Sequence, residues 1–322
     1  MILRAHWFAA AVVLAFARPA VAADPQAKPS AAAAAPSHTL VDEIGRSVVV
    51  PVAARRIVSL APAITEGLFA IGAGPQVVGV TRYCDFPAEA KTRSIVGGFA
   101  DPDVERVIGL APDLVIATSD TVTRERFDAI VALGLPVYTV NPRDLSGVAG
   151  TLRHLGELTG RREAAEASAR AFETAVQAVD TRIAAQPKVR AMVLFSVDPP
   201  IAAGPSTFVD ELLRHAGAAN VAAGAPTSYP RYGVEGILSA SPAVIFVTVP
   251  GGAAQLRKML AGSSLATQDA VVEVDADLLE RPGPRLAAGL EAIARRLHPV
   301  TAASQASPLL RGSGPDAWSP GK

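Results

Sequence analysis

VERVIGLAPDLVI at residues 104–116 and VEGILSASPAVIF at residues 234–246 are two copies of one pattern. Each opens on a Val-Glu pair and reaches a proline seven residues after the glutamate, Pro112 after Glu105 and Pro242 after Glu235. Each then enters an apolar segment, Leu114–Ile116 or Val244–Phe246. A proline ends a short helix, and an apolar run bounded in this way suits a strand covered on both faces. Helix, turn and buried strand together are the unit of an α/β layer. A carboxylate in the first helical turn is favoured by the helix dipole, so each glutamate has a local reason for its place. The repetition adds that two halves of the chain present them at equivalent positions.

The same alternation continues outward from the first copy. Arg56–Leu60 reads as a strand, and Pro62–Ile71 as a helix with proline in its first turn and Gly72 and Gly74 past its end. Val77–Val80 and Pro136–Val140 read as strands, and Thr123–Leu133 as a helix stopped by Gly134. Around the second copy, Val189–Phe195, Val244–Thr248 and Val271–Val274 read as strands. Phe208–His215, Ala254–Leu260 and Leu286–Leu297 read as helices. Between the halves, Leu145–Ala184 has no proline and is dense in Ala, Glu, Arg and Leu, which predicts one long helix or two broken near Gly160. The expected fold class is α/β: an N-terminal lobe over 39–144, a long helical connector over 145–187, a C-terminal lobe over 188–299 and a flexible tail over 300–322.

Ahead of the first lobe, Arg4, the apolar run FAAAVVLAFA at 8–17 and the small residues AVAAD at 20–24 stand in the order of an export signal. The run is shorter than the roughly 20 apolar residues of a membrane span. Residues 1–22 are therefore expected to be a signal peptide cleaved near Ala22, and the Ala/Pro-rich 23–38 a tether. The whole chain balances 30 Lys+Arg against 30 Asp+Glu, and loss of Arg4 and Arg18 with the signal leaves it slightly acidic. A near-neutral chain without a basic stripe is not built for nucleic acid. Its single cysteine, Cys84, has no internal disulfide partner and is expected to be a small buried hydrophobe. A monomer is expected.

Signatures of catalysis are scarce. There is no G-x-S-x-G, no G-x-x-x-x-G-K and no C-x-x-C. His154 and His215 fall in predicted helices without a histidine neighbour, so no catalytic residue, metal site or resident cofactor is expected. The aromatic residues say more, because only 5% of the chain is aromatic and several rings fall in turns. Tyr83 and Phe86 lie in TRYCDFP, Phe99 in GGFADP, and Tyr229 and Tyr232 in SYPRYG. Loops after parallel strands carry binding surface. Rings offered from both halves suit a large, planar, partly apolar ligand. Arg281-Pro282-Gly283-Pro284-Arg285 is a stiff turn with two guanidinium groups. One of them is expected to reach a ligand and the other to face solvent or an acidic neighbour; the turn does not say which, and Arg281 is carried as the candidate.

From Arg56 to about Pro299 the chain resembles the periplasmic solute-binding proteins of ABC importers for cobalamin, haem and ferric siderophores, the cobalamin binders above all. The strings that carry the resemblance are RIVSLAPAITEGLFAIGAG, VVGVTRYCDFP, VERVIGLAPDLVIA, VEGILSASPAVIF and RPGPRLAAGLEAIARRLHP. It implies two Rossmann-like lobes on a single helical backbone (class III), with little closure between them. It also implies a periplasmic protein that captures cobalamin or another corrinoid in the inter-lobe cleft, with haem or a ferric siderophore as the alternative. The implied partner is an inner-membrane ABC transporter, a permease dimer with its ATPase. Among the implied cleft residues, Tyr83 matches a tyrosine, while Phe99 and Tyr229 stand where the cobalamin binder has tryptophans. Thr118 stands where a third tryptophan would be, and Ile201, in DPPIAAG, where a phenylalanine would be. Glu105 and Glu235 match the pair that docks on arginines of the two transmembrane subunits.

Overall fold

The computed structural model describes residues 36–119 and 123–299, so the expected signal peptide, most of the tether and the tail lie outside the described residues. It opens on an antiparallel hairpin, β1 (Ser37–Val41) with β2 (Ser47–Pro51), which the sequence reading did not anticipate. β1 begins inside the stretch expected to be tether: Ser37 and His38 already pair with Pro51 and Val50. Asp42 closes the turn by accepting from the backbone N–H groups of Ile44 and Arg46 and pairing with the Arg46 guanidinium at 2.6 Å.

The N-terminal lobe follows: β3 (Ile57–Ser59), α1 (Pro62–Ala70), β4 (Val77–Val80), β5 (Ser94–Ile95), α2 (Val104–Gly109), β6 (Leu114–Thr118), α3 (Arg124–Ala132) and β7 (Val137–Val140). Its strands run parallel in the order β5-β4-β3-β6-β7. Successive residues of a strand point to opposite faces, and here both faces are covered. Ile57, Leu114 and Ile116 pack toward α1, while Val58, Val115 and Ala117 pack toward Val107 of α2 and Ile130 of α3. This is why these strands are continuously apolar.

The segment 145–184 takes the broken form of its two readings. α4 (Leu145–Thr159) ends at Gly160, which adopts the left-handed conformation (φ 69°) that glycine reaches without a Cβ penalty. α5 (Arg162–Ile183) then turns back along α4. The approach is close enough that a Cβ on Gly156 would overlap that of Ala165. The connector between the lobes is therefore α5 alone, 22 residues and about 33 Å long. One apolar cluster runs from Leu68 of α1 and Leu152 of α4 through Ala169, Phe172 and Val179 of α5 into the C-terminal lobe.

That lobe repeats the plan: β8 (Val189–Val197), β9 (Pro200–Ala202), α6 (Phe208–His215), β10 (Ala218–Asn220), α7 (Val234–Ala240), β11 (Val244–Val247), α8 (Gly252–Met259), β12 (Val271–Glu273) and α9 (Leu286–Leu297). The parallel order is β10-β8-β11-β12, with β9 folded back antiparallel on β8. Leu290 and Ile293 of α9 close the shared cluster against α5, and Arg182 of α5 pairs with Glu291 at 2.6 Å. In both lobes the first strand lies between neighbours reached in opposite directions. This makes a switch point whose carboxyl edge is the usual place for a ligand in an open α/β sheet.

Candidate functional site

The carboxyl edges of the two sheets meet. The loop after β4 (Thr81–Pro87) belongs to the N-terminal lobe and the loop after β12 (Val274–Arg285) to the other, and they are joined by the Arg281–Asp85 ion pair. In the first loop, the Thr81 hydroxyl and the Cys84 thiol lie 3.2 Å apart and tie the chain down, leaving Cys84 buried as expected. Tyr83 is thereby turned outward, 46% exposed, and stands edge-on to Phe99 with ring centroids 5.3 Å apart. Phe99 is carried by a hairpin that only glycine permits: Gly97 has φ 109°, and a Cβ on Gly98 would overlap the Asp101 carboxylate. Thr118 ends β6 on the same edge, and the Ser119 hydroxyl beyond it donates to Asn141 at 2.7 Å.

The C-terminal lobe offers a second aromatic pair. Tyr229, 61% exposed, lies 5.8 Å from Phe195 of β8 at 57°. Its loop is pressed onto β9, because Ile201 bridges to Arg231 and a Cβ on Gly204 would stand 2.5 Å from the Thr227 carbonyl oxygen. Sequence reasoning placed Tyr229 but missed Phe195, whose position inside an apolar strand gives no sign that its ring reaches the edge. Tyr232, the other ring of that loop, packs into the apolar cluster beneath α7 instead.

Arg281 and Arg285 are both engaged. Arg281 Nη1 reaches Glu66 at 3.1 Å and Asp85 at 2.7 Å, and its Nη2 reaches Asp277 at 2.7 Å. Arg285 holds Glu66 through Nε at 2.9 Å and Nη2 at 2.7 Å, and its guanidinium lies 4.1 Å from the centre of the Phe86 ring. Burial opposes ionisation of both aspartates. At Asp277 it prevails and raises the carboxyl above its usual range; at Asp85 the Arg281 hydrogen bond and charge outweigh it. Arg82, Arg143 and Arg231, in loops on the same edges, are exposed and make no ion pair among the described residues.

On the outer side, α2 and α7 extend the match seen in sequence into three dimensions. Val107 and Ile237 are the buried anchors, Ile108 and Leu238 are exposed, and Glu105 and Glu235 point to solvent from the first turns. Each helix is followed by a non-glycine residue with positive φ, Ala111 at 44° and Ser241 at 43°. Each is capped by an arginine from the lobe's first strand or the residue before it: Arg56 donates to the carbonyls of Leu110 and Ala111, and Arg190 to those of Ala240 and Ser241. Among the described residues no three His, Cys, Asp or Glu gather as a metal site, and no helix is long and apolar enough to cross a membrane.

Two lobes of this plan, hung on one helix with loops meeting at their carboxyl edges, define a class III solute-binding protein. Residues 57–275 match the model of the periplasmic binding protein family, and the chain belongs to that family. It is 28% identical over 234 residues to the vitamin B12-binding protein of Yersinia pestis (strain Pestoides F), covering 73% of this chain and 83% of the relative. The solved periplasmic vitamin B12 binding protein of Vibrio cholerae superposes with a TM-score of 0.69 at 27% identity, over 79% of this chain and 99% of that one. A periplasmic heme binding protein from Pseudomonas aeruginosa superposes with a TM-score of 0.70 at 26% identity, over 77% and 94%. The protein is thus a periplasmic, non-catalytic carrier that delivers a small ligand to an ABC transporter.

Proposed function

We propose that the cleft takes a planar tetrapyrrole metal complex and passes it to an inner-membrane permease dimer. The observation that carries this reading is the pair of aromatic clusters, one on each carboxyl edge, with Tyr83 and Tyr229 exposed. Exposed rings on opposed loops bind flat, partly apolar ligands by area and stacking. Tyr83, Phe99, Tyr229, Ile201 and Thr118 line the proposed site. Arg281, also expected there, has its guanidinium shared among three carboxylates.

Charge separates the candidate tetrapyrroles. Arg82 adjoins Tyr83 and Arg231 follows Tyr229 by two residues, so exposed cations that make no ion pair among the described residues flank both aromatic pairs. Haem carries two propionates and suits them, as a negatively charged ferric siderophore would; the amide-rimmed corrin ring asks less of them. The small side chain at Thr118 also departs from a cleft walled by aromatic rings. A corrinoid is the second reading, supported by the 28% identity to a vitamin B12-binding protein. Titration calorimetry of the mature protein with haemin, cyanocobalamin and a ferric siderophore tests this. One-to-one binding of haemin alone supports the first reading, cyanocobalamin alone the second, and siderophore alone removes the planar-ring argument.

Glu105 and Glu235 are the proposed docking pair. They sit on equivalent, arginine-capped helices, as a two-fold partner with a cation on each subunit requires.

A further inference from the structure

The lobes are joined covalently through α5 and a second time by ions. Glu66 lies on α1 of the N-terminal lobe with its side chain 1% exposed, and the side-chain partners of its carboxylate among the described residues are Arg281 and Arg285 of the other lobe. Gly283, between the two arginines, faces α1, where a Cβ on it would meet the backbone of Ala63 at an ordinary contact distance of 3.4 Å. We infer that Glu66, Arg281 and Arg285 form an ionic pin that sets the spacing of the lobes, and that Arg281 carries that spacing to Tyr83 through Asp85.

Arg285 grips Glu66 through two parallel hydrogen bonds, which fix angle as well as distance. Moving the lobes apart would take both guanidinium partners from the buried Glu66 carboxylate and leave Asp277 to both arginines, and loss of a buried charge's partners is costly. The outer arm differs. The Asp85 side chain is 46% exposed and that of Asp277 34%, so water can replace Arg281 there at little cost. The Tyr83 loop can thus be released while the pin holds. In this scheme Arg281 is a positioning residue for the ligand, acting through Asp85. Only this relay to Tyr83 rests on the ligand reading above.

Spin labels at Glu125→Cys and Lys258→Cys, exposed on α3 and α8 of different lobes, report lobe spacing by pulsed electron resonance without any ligand. The expected result is one narrow distance distribution for the labelled parent, the same distribution for Asp85→Asn, and a broadened or shifted one for Glu66→Gln. If Glu66→Gln does not fold, Arg285→Lys, which keeps the charge and loses the fork, is expected to broaden the distribution in its place. An unchanged distribution in these pin variants overturns the pin. Asp85→Asn is expected to weaken binding of whichever of haemin or cyanocobalamin binds the parent by about tenfold, with Asp85→Glu restoring it. Unchanged affinity in Asp85→Asn overturns the relay. If neither probe binds the parent, the ligand reading and the relay fail together, and the distance measurement still decides the pin.

Discussion

On their outer sides the two lobes agree at position after position: Glu105 with Glu235, Val107 with Ile237, Ile108 with Leu238, Ala111 with Ser241, and the capping Arg56 with Arg190. On their inner sides they are unlike. The N-terminal edge presents Tyr83, Phe99 and the acidic Glu66 and Asp85; the C-terminal edge presents Tyr229, Ile201 and the basic Arg281 and Arg285. A surface that meets a symmetric partner gains from repetition, because both halves face the same complement. A surface that must close on another part of the same molecule needs opposite charges, because identical faces would repel. The duplication is therefore retained where a two-fold partner is proposed and lost where the lobes meet each other.

The sharpest way to break this comparison is at the outer face. Glu105→Arg combined with Glu235→Arg is expected to abolish uptake through the cognate transporter while leaving ligand affinity of the purified protein within about twofold. A large loss of affinity in calorimetry would move the glutamates out of docking. The inner face is expected to answer in stability. Glu66→Ala, which leaves Arg281 with Asp85 and Asp277 but takes from Arg285 its two-pronged partner, should cost about 3 kcal/mol in urea unfolding. The exposed Glu105→Ala should stay within about 0.5 kcal/mol. Next in size is the ligand itself. Tyr83→Ala or Tyr229→Ala should each weaken binding by about 1–3 kcal/mol, and equal losses would show that both lobes grip the ligand.

The smallest effect lies away from both faces, where His154 of α4 meets Glu43 of the first hairpin at 2.9 Å. The Glu43 hydrogen bond raises the His154 pKa, with burial opposing it. A group whose folded pKa is raised contributes stability that is complete below its unfolded value of about 6.5 and is lost as pH rises through the folded one. His154 is nearly half exposed, so solvent screening holds the contribution below about 1 kcal/mol. His154→Gln should flatten the stability profile across that window without changing ligand affinity.

Much of the fold was legible because its signals are local. Apolar runs bounded by Gly and Pro placed β3, β4, β6, β7, β8, β11 and β12, and the paired motifs placed α2 and α7. The strands missed were β1, β2, β5, β9 and β10, of which β2, with Val48–Val50 between Gly45 and Pro51, carried such a signal and was passed over. β9 and β10 are three-residue segments of mostly small residues, which become strands only because β8 offers them a partner. The break at Gly160 was readable as a possibility, since glycine permits the left-handed turn, but packing of α5 onto α4 decided it. In the candidate site, Tyr83 and Tyr229 stood out as aromatic residues in loops, whereas Phe195 was hidden in a strand. Arg281 was legible as a guanidinium on a stiff turn; its three carboxylate partners were not.

The amino-acid sequence by itself determined the α/β rhythm, the duplicated outer helices and the loops that carry the rings, since each depends on residues within a few positions of one another. The tertiary structure decided which charges meet. Glu66 and Arg285 are separated by 219 positions, and Asp85 and Arg281 by 196, and neither side chain of either pair bears any local mark of its partner. Only the return of the chain through α5, which sets one carboxyl edge against the other, brings them within hydrogen-bond distance. The same folding that creates the cleft thereby also creates the contacts proposed to hold its width.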